Sequence, residues 1–314
     1  MLATVAMIRV LVTGGTGFVG KKLVGALLAR GCLVTVLTRD VGSTQGKLDQ
    51  RVRLAGWTPW KAGVWGEEVD GVDAVINLAG AGVFDEPWTK DRIEVLRWSR
   101  EDATHQLSLA IAHAKQKPKV LVSASAVGIY GTRTDDLVLD EDGGKGTDAL
   151  AEICKGWEKA AAPAVEAGVR VVHPRLGVVL GPDGGALSKM LPAFTFRMGG
   201  PLGNGRQWVS WVHWRDVVDA IDYAIQTTTL SGPCNLVSPN PVTMNEFAEA
   251  IALVKNTHAR ARVPPFVIKV MMGEGRAEML LTGQRATPKR LTGAGFEFSY
   301  PDLVPALEDI LGPK

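Results

Sequence analysis

Cysteine is scarce in this chain. Cys32, Cys154 and Cys234 are the whole supply, odd in number and far apart. They form no CxxC pair and no Cys/His cluster, which argues against a zinc site and a disulfide-stapled scaffold and for a reducing compartment. The five histidines show no metal-ligand spacing. An excess of either charge is lacking too. The 35 basic and 33 acidic residues leave a net charge of +2 with no basic run, so nothing draws the chain to nucleic acid or to an anionic membrane. No apolar run approaches the ~18 residues that a bilayer span needs. The six residues before Met7 lack a basic n-region, and the apolar run that follows reads as a strand, so no secretory signal is expected. There is no internal repeat and no low-complexity tract. These absences leave a soluble cytoplasmic protein without a metal, and with a small molecule as its expected partner.

What is present is apolar and glycine-punctuated. Hydrophobic residues make up 46% of 314 positions, enough for a large core and for two domains or one α/β unit with an appendage. The organising stretch is Val10-Leu-Val-Thr-Gly-Gly-Thr-Gly-Phe-Val-Gly20. Ile8–Thr13 is β-branched and apolar, as a buried parallel strand should be. Gly14, Gly17 and Gly20 follow at i, i+3 and i+6. Val19, Leu23 and Leu27 then recur with helical spacing, and Gly31 sits where a C′ glycine belongs. A strand that turns through glycines into a helix offers free N–H groups and a partial positive charge to a pyrophosphate. This context makes the stretch a dinucleotide-binding turn.

Leu33–Thr38 reads as the second strand. Arg39 follows it, 19 residues beyond Gly20, and its charged fork suits a ribose 2′-phosphate, which would select NADP(H). Asp40 competes and would favour NAD. Further strands are expected at Val52–Leu54, Ala74–Leu78, Lys119–Val122 and Val169–Pro174. One long helix is expected from Thr89 to about Lys115, and another over Asp148–Ala167, broken near Pro163. The alternation predicts a Rossmann-type doubly wound parallel sheet over residues 7–180. A smaller α+β substrate-side region is expected over 181–312. Its helices are predicted at Arg215–Gln226, at Thr243–Val254 behind a Thr243/Glu246 capping box, and at Pro264–Gly273, with a terminal strand at Phe296–Phe298.

The N-terminal half resembles the extended short-chain dehydrogenase/reductases. The residues that carry this are Thr13-Gly-Gly-Thr-Gly-Phe-Val-Gly20, Asn77-Leu-Ala-Gly80, Ser123-Ala-Ser125 and Arg175 with Gly181-Pro182. Longer stretches are similar to the atypical epimerase-like subgroup labelled SulA-like cell-division inhibitors. They are Ser123-Ala-Ser-Ala-Val-Gly-Ile-Tyr-Gly131, Leu150-Ala-Glu-Ile-Cys154 with Trp157-Glu158, Gly177 to Ala186, Gly199 to Trp208, and Leu281-Thr-Gly-Gln284. The subgroup's C-terminal segment falls at about 264–307. The resemblance implies NADP(H) along the C-terminal edge of the sheet. Gly14, Thr16, Gly17, Phe18 and Val19 would cradle the pyrophosphate. Thr38 and Arg39 would hold the 2′-phosphate, and Leu78, Ala79 and Gly80 would pass under the ribose. Arg100 matches a position that faces the cofactor in relatives; a surface ion pair is the competing reading.

The wider family uses serine, tyrosine and lysine, with the lysine favouring the tyrosine's phenolate. Ser125 fits the serine. A register anchored on Trp157-Glu158 puts Leu150 and Cys154 where tyrosine and lysine belong, so that pair is absent. Lys155 is about 100° away round the helix. Tyr130 is a candidate from the following loop, against the alternative of a packed loop tyrosine. Asp148 and Glu152 read as capping or solvated acids. On the substrate side, nucleotide-sugar relatives show Gly-x-Gly-x-Gln-x-Arg-Asp. Here Gly203-Asn-Gly-Arg-Gln207 is kept, but Val209 and Ser210 replace Arg-Asp, with Arg206 nearby as a substitute. Trp208, Trp211 and Trp214 around His213 suggest either an aromatic wall or a buried strand. Two functions remain. One is an NADP(H)-dependent oxidoreductase or nucleoside-sugar-epimerase-like protein of unknown substrate with a non-standard proton donor. The other is a non-catalytic NADP(H)-dependent sensor with a protein partner, linked to cell division.

Overall fold

A computed structural model describes residues 7–312; the six leading residues considered above as a signal lie outside it. Seven parallel strands form the main sheet: β1 Arg9–Thr13, β2 Leu33–Thr38, β3 Arg53–Gly56, β4 Ala74–Asn77, β5 Val120–Ser123, β6 Arg170–Leu176 and β7 Gly232–Leu236. Their order is β7-β6-β5-β4-β1-β2-β3, and the two-residue strand Ser125–Ala126 pairs further along β6. The strand order reverses between β1 and β4, and in such sheets the crevice beyond the strands' carboxyl ends at that point takes ligands.

The helices of eight residues or more are α1 Phe18–Ala29, α2 Lys90–Trp98, α3 Glu101–His113, α4 Ala149–Lys159, α5 Gly185–Thr195, α6 Trp214–Gln226, α7 Met244–Val254, α8 Pro265–Met272, α9 Glu274–Leu281 and α10 Leu303–Leu311. Alternation along each strand builds two cores. Val10, Val12, Val36, Ile76 and Val172 pack with Leu23 and Leu27 of α1 and Val217 and Ile221 of α6. Leu11, Leu37, Val75 and Leu121 pack on the other face with Leu107 and Ile111 of α3. A third core joins α5, α7 and α10.

The chain crosses back over residue 180. Beyond it, α6 packs in the first core, and β7 takes the sheet edge against β6. The long helix expected from Thr89 is two helices. Ser99 accepts from the Ala81 N–H at 3.1 Å and donates to Leu96 O at 3.2 Å, which draws the chain toward the β4 loop and breaks the turn before Arg100. Phe296–Phe298 is not a strand. The Phe296 N–H closes the preceding turn on Leu291 O at 3.0 Å, and the Asp216 carboxylate takes the N–H groups of the next residues, Ser299 and Tyr300, at 2.8 and 3.1 Å, which turns the segment away from a ladder. Its two phenylalanines stack edge to face, centroids 4.9 Å apart, and α10 follows where no helix was expected.

Candidate functional site

The glycine turn sits at the switch point. Gly14 has φ +69°, and a Cβ there would lie 2.6 Å from the Leu78 carbonyl, so only glycine lets β1 and the β4 loop approach so closely. A Cβ on Gly20 would lie 2.2 Å from Gly14 O, which locks α1 against the turn. Gly17 caps α1 with no side-chain bond, so the first N–H groups of the helix, from Phe18 and Val19, are left for a ligand.

A groove of about 650 Å³ opens in front of this turn. Gly14, Thr16, Gly17, Thr38, Arg39, Leu78, Ala79 and Gly80 all line it. The side chains of Phe18 and Val19 are not part of its lining. The Phe18 ring packs instead against Gly181 and Gly184, where a built Cβ would meet it at 2.6 and 2.8 Å. At the β2 end, the two candidates of opposite charge separate. Asp40 caps the single helical turn Val41–Thr44, accepting from the Ser43 N–H at 2.9 Å, and that bond holds its carboxyl below the usual range. Arg39 is exposed, lines the groove and pairs with no carboxylate among the described residues. Lys47 and Ser43 join it on the same wall. Sequence reasoning passed over Lys47; its only signal was its place in the polar run after β2.

Behind the groove, Asn77 is buried and ties three strand ends together. It accepts from Thr13 Oγ1 at 2.6 Å and donates to Thr104 Oγ1 at 2.8 Å and Ser123 Oγ at 3.1 Å. Arg100 starts α3. Its guanidinium donates to Leu96 O at 3.0 Å and Ala81 O at 2.9 Å and lies 5.1 Å over the Trp157 ring. A Cβ on Gly80 would meet it at 3.1 Å. Burial lowers its pKa, and it has no acidic partner among the described residues, so the surface ion pair is not formed. Arg100 itself is not among the residues that line the groove.

The catalytic candidates lie in the frame. Ser125 is 1% exposed and donates to Glu158 Oε1 at 2.9 Å. Glu158 is gripped by Arg175 through Nε at 2.8 Å and Nη2 at 3.0 Å. Burial raises the Glu158 pKa, but the bonds and charge of Arg175 outweigh it and hold the group ionised. Tyr130, 1% exposed, donates to Asn235 Oδ1 at 2.7 Å and accepts from Arg175 Nη1 at 3.0 Å; burial raises its pKa. Neither residue is among those lining the groove. Leu150 packs on Gly128, and burial pushes the Cys154 thiol up to about 12. Lys155 pairs with Glu152 at 2.7 Å, and Asp148 caps α4 through Leu150 and Ala151.

A second cavity, of about 400 Å³, lies between α5, the Trp208 segment and α8–α9. Phe84 lines it while Asp85 lines the first groove, so this loop borders both. Of the three tryptophans, only Trp208 reaches it. Trp211 is buried on Asn240 O, and Trp214 stacks under Lys22 at 4.3 Å. His213 caps α6 through the Arg215 N–H and faces Asp309 Oδ2 at 3.3 Å; burial lowers its pKa to about 4, so it is a neutral structural residue. Arg206 is exposed and off the lining. Ser210 donates to Gln284 O at 2.6 Å, bolting the C-terminal segment to the position where nucleotide-sugar relatives carry aspartate. No cluster of three metal-ligating side chains and no membrane-length apolar helix occurs among the described residues.

A doubly wound sheet with an uncapped glycine turn at its switch point defines a dinucleotide-binding α/β protein. The chain belongs to the NAD dependent epimerase/dehydratase family, which matches residues 10–237, and residues 263–310 match a domain of unknown function (DUF1731). It is 37% identical to the epimerase family protein YfhF of Bacillus subtilis over 98% of this chain and 99% of that one. It is 39% identical to an epimerase family protein of Mycobacterium leprae, ML0860, over 95% and 94% of the two chains. Among solved structures, human epimerase family protein SDR39U1 with NADPH is similar at 32% identity and TM-score 0.85, covering 96% of this chain and 99% of that one.

Proposed function

We propose that the protein is an NADP(H)-dependent epimerase-family oxidoreductase that works without the usual tyrosine–lysine pair. The observation that carries this is the β2 end of the groove: Arg39 and Lys47 line it, while Asp40 is occupied by capping. A planar guanidinium with no acid partner suits a phosphate monoester on the ribose. The NADPH in the solved human relative supports the same reading. Gly14, Thr16 and Gly17, with the free N–H groups of Phe18 and Val19, would hold the pyrophosphate.

When bound, the cofactor supplies a hydride donor or acceptor. The chain's own part is to orient it and to keep a buried positive charge, Arg100, beneath Gly80. Ser125 and Tyr130 serve the frame through Glu158, Arg175 and Asn235. With Leu150 and a neutral Cys154 on α4, a proton that accompanies hydride transfer comes from water or from the substrate. Calorimetric titration with NADPH and NADH tests the reading. Binding of NADPH at least tenfold tighter than NADH is expected; equal affinity, or none, overturns it.

A further inference from the structure

We infer that the second cavity takes an extended apolar molecule carrying one hydroxyl group, and that this is the substrate class of the proposed oxidoreductase. The inference rests on that reading for its chemistry and on the cavity for its ligand. Among the 26 positions that border the space, the one ionisable side chain is Lys189. A nucleotide diphosphate needs cations, and the cavity offers too few. Its lining is methionine instead. Of the eight methionines in the chain, Met1 and Met7 stand at the N-terminus, and Met190, Met198, Met244, Met271, Met272 and Met279 all border this one cavity. Unbranched, polarisable thioethers adapt to flexible apolar shapes and are over-used where a surface must accept them. Met198 and Met271 are 63% and 74% exposed, so they mark its mouth. The size suits a ligand, since such sites run from roughly 300 to 1,000 Å³.

One polar group in its wall has no partner. Gln207 is 6% exposed, and its amide nitrogen donates to Leu202 O at 3.1 Å and Leu280 O at 2.8 Å. Those two carbonyls fix which way the amide points. Its oxygen Oε1 is buried without a hydrogen-bond partner. A buried acceptor left unmade costs free energy, and a ligand hydroxyl would satisfy it once the Gln207 side chain shifts to open its oxygen to the cavity. The same space thus asks for an apolar body and a single donor. The domain of unknown function supplies much of the wall, through Ile268, Met271, Met272, Met279 and Leu280.

The experiment is calorimetric binding of a primary alcohol series, hexanol to dodecanol, to the NADPH-loaded protein, where neither partner can be oxidised by the other. Affinity is expected to rise about three- to four-fold per methylene until the cavity is full. Decanol should bind at least tenfold tighter than its methyl ether, which cannot donate to Gln207. UDP-glucose should bind at least 100-fold more weakly than decanol. Met271→Glu, at the exposed mouth where folding is not at stake, should weaken decanol tenfold and leave NADPH affinity unchanged. UDP-glucose binding as tightly as decanol, or affinity independent of chain length, overturns the inference. Parity of decanol and its ether overturns the hydroxyl assignment. Run without cofactor, the same series separates the two claims: NADPH binding with no alcohol binding sinks this inference alone, and alcohol binding with no NADPH binding sinks the cofactor reading and the substrate role with it, while the ligand class of the cavity stands.

Discussion

Replacing Arg39 by alanine should split the two nicotinamide cofactors apart in their response. Arg39 is exposed, so the fold does not depend on it, and the thermal midpoint of the variant should match the parent's. Its competitor for the ribose is already removed, because Asp40 faces the Ser43 N–H at 2.9 Å. A hydrogen bond between charged groups contributes about 1.5 to 3 kcal/mol. Lys47 remains on the wall to keep part of the attraction, which favours the lower half of that range. With 1.4 kcal/mol per decade, NADPH affinity should fall about 10- to 50-fold. NADH, with no 2′-phosphate, should change by less than about 3-fold. Calorimetry at two salt concentrations gives a second readout. The parent should lose NADPH affinity with salt faster than NADH affinity, and the variant should lose much of that difference. Equal losses for both cofactors would refute the reasoning, since Arg39 would then act on something the two molecules share.

Three further outcomes follow from the frame. Tyr130→Phe removes a hydroxyl bonded to Asn235 and Arg175 and should cost about 1 to 2 kcal/mol in urea unfolding. Turnover on any accepted substrate should stay within about 3-fold; a loss of about 100-fold would make Tyr130 the proton carrier after all. Arg175→Met strands the Glu158 carboxylate in the interior and should destabilise by about 3 to 5 kcal/mol, read from denaturant midpoints. His213 gives a pH signature. Its pKa is lowered by burial to about 4, so its contribution is whole above about 6.5 and is lost as pH falls toward 4, because the unfolded chain takes up the proton first. The midpoint difference between parent and His213→Gln should therefore narrow across that window; a constant difference would mean that His213 is charged in the fold.

The groove was legible because its chemistry is local. A strand, a turn with glycines at fixed offsets and a helix are set by twenty consecutive residues, and Arg39 stands one residue past the next strand. The absence of the tyrosine–lysine pair was equally readable, since it depends on residue identity on one helix. The break at Ser99 was not, because the group that draws the chain aside is the Ala81 N–H on a different loop. Nor was the fate of Ser125, whereas the packed reading of Tyr130 was open from the sequence and only its partners were not. Each stood at a plausible catalytic position, but the buried network of Glu158, Arg175 and Asn235 that claims them joins residues up to 105 positions apart. The Trp208–Trp214 run left two readings open, and the buried strand is the one that Trp211 follows. The three tryptophans fall on two short strands and the first residue of α6, so they go to different neighbours, and only Trp208 turns toward the open space. The methionines were invisible as a group because they come from four separate stretches of chain.

The position of β7 bears on how the molecule is assembled as it is made. Synthesis delivers β1 to β6 first, and until Gly232–Leu236 emerges the outer side of β6 is an open sheet edge. Such an edge is a template for pairing with another chain. The strand that closes it brings Asn235, which accepts from Tyr130, made long before, and donates to Thr287 O at 2.9 Å once that later residue has been made. Completion of the nucleotide-binding sheet thus waits on the later part of the chain, and a nascent chain halted before residue 232 carries an intact glycine turn on an unfinished sheet.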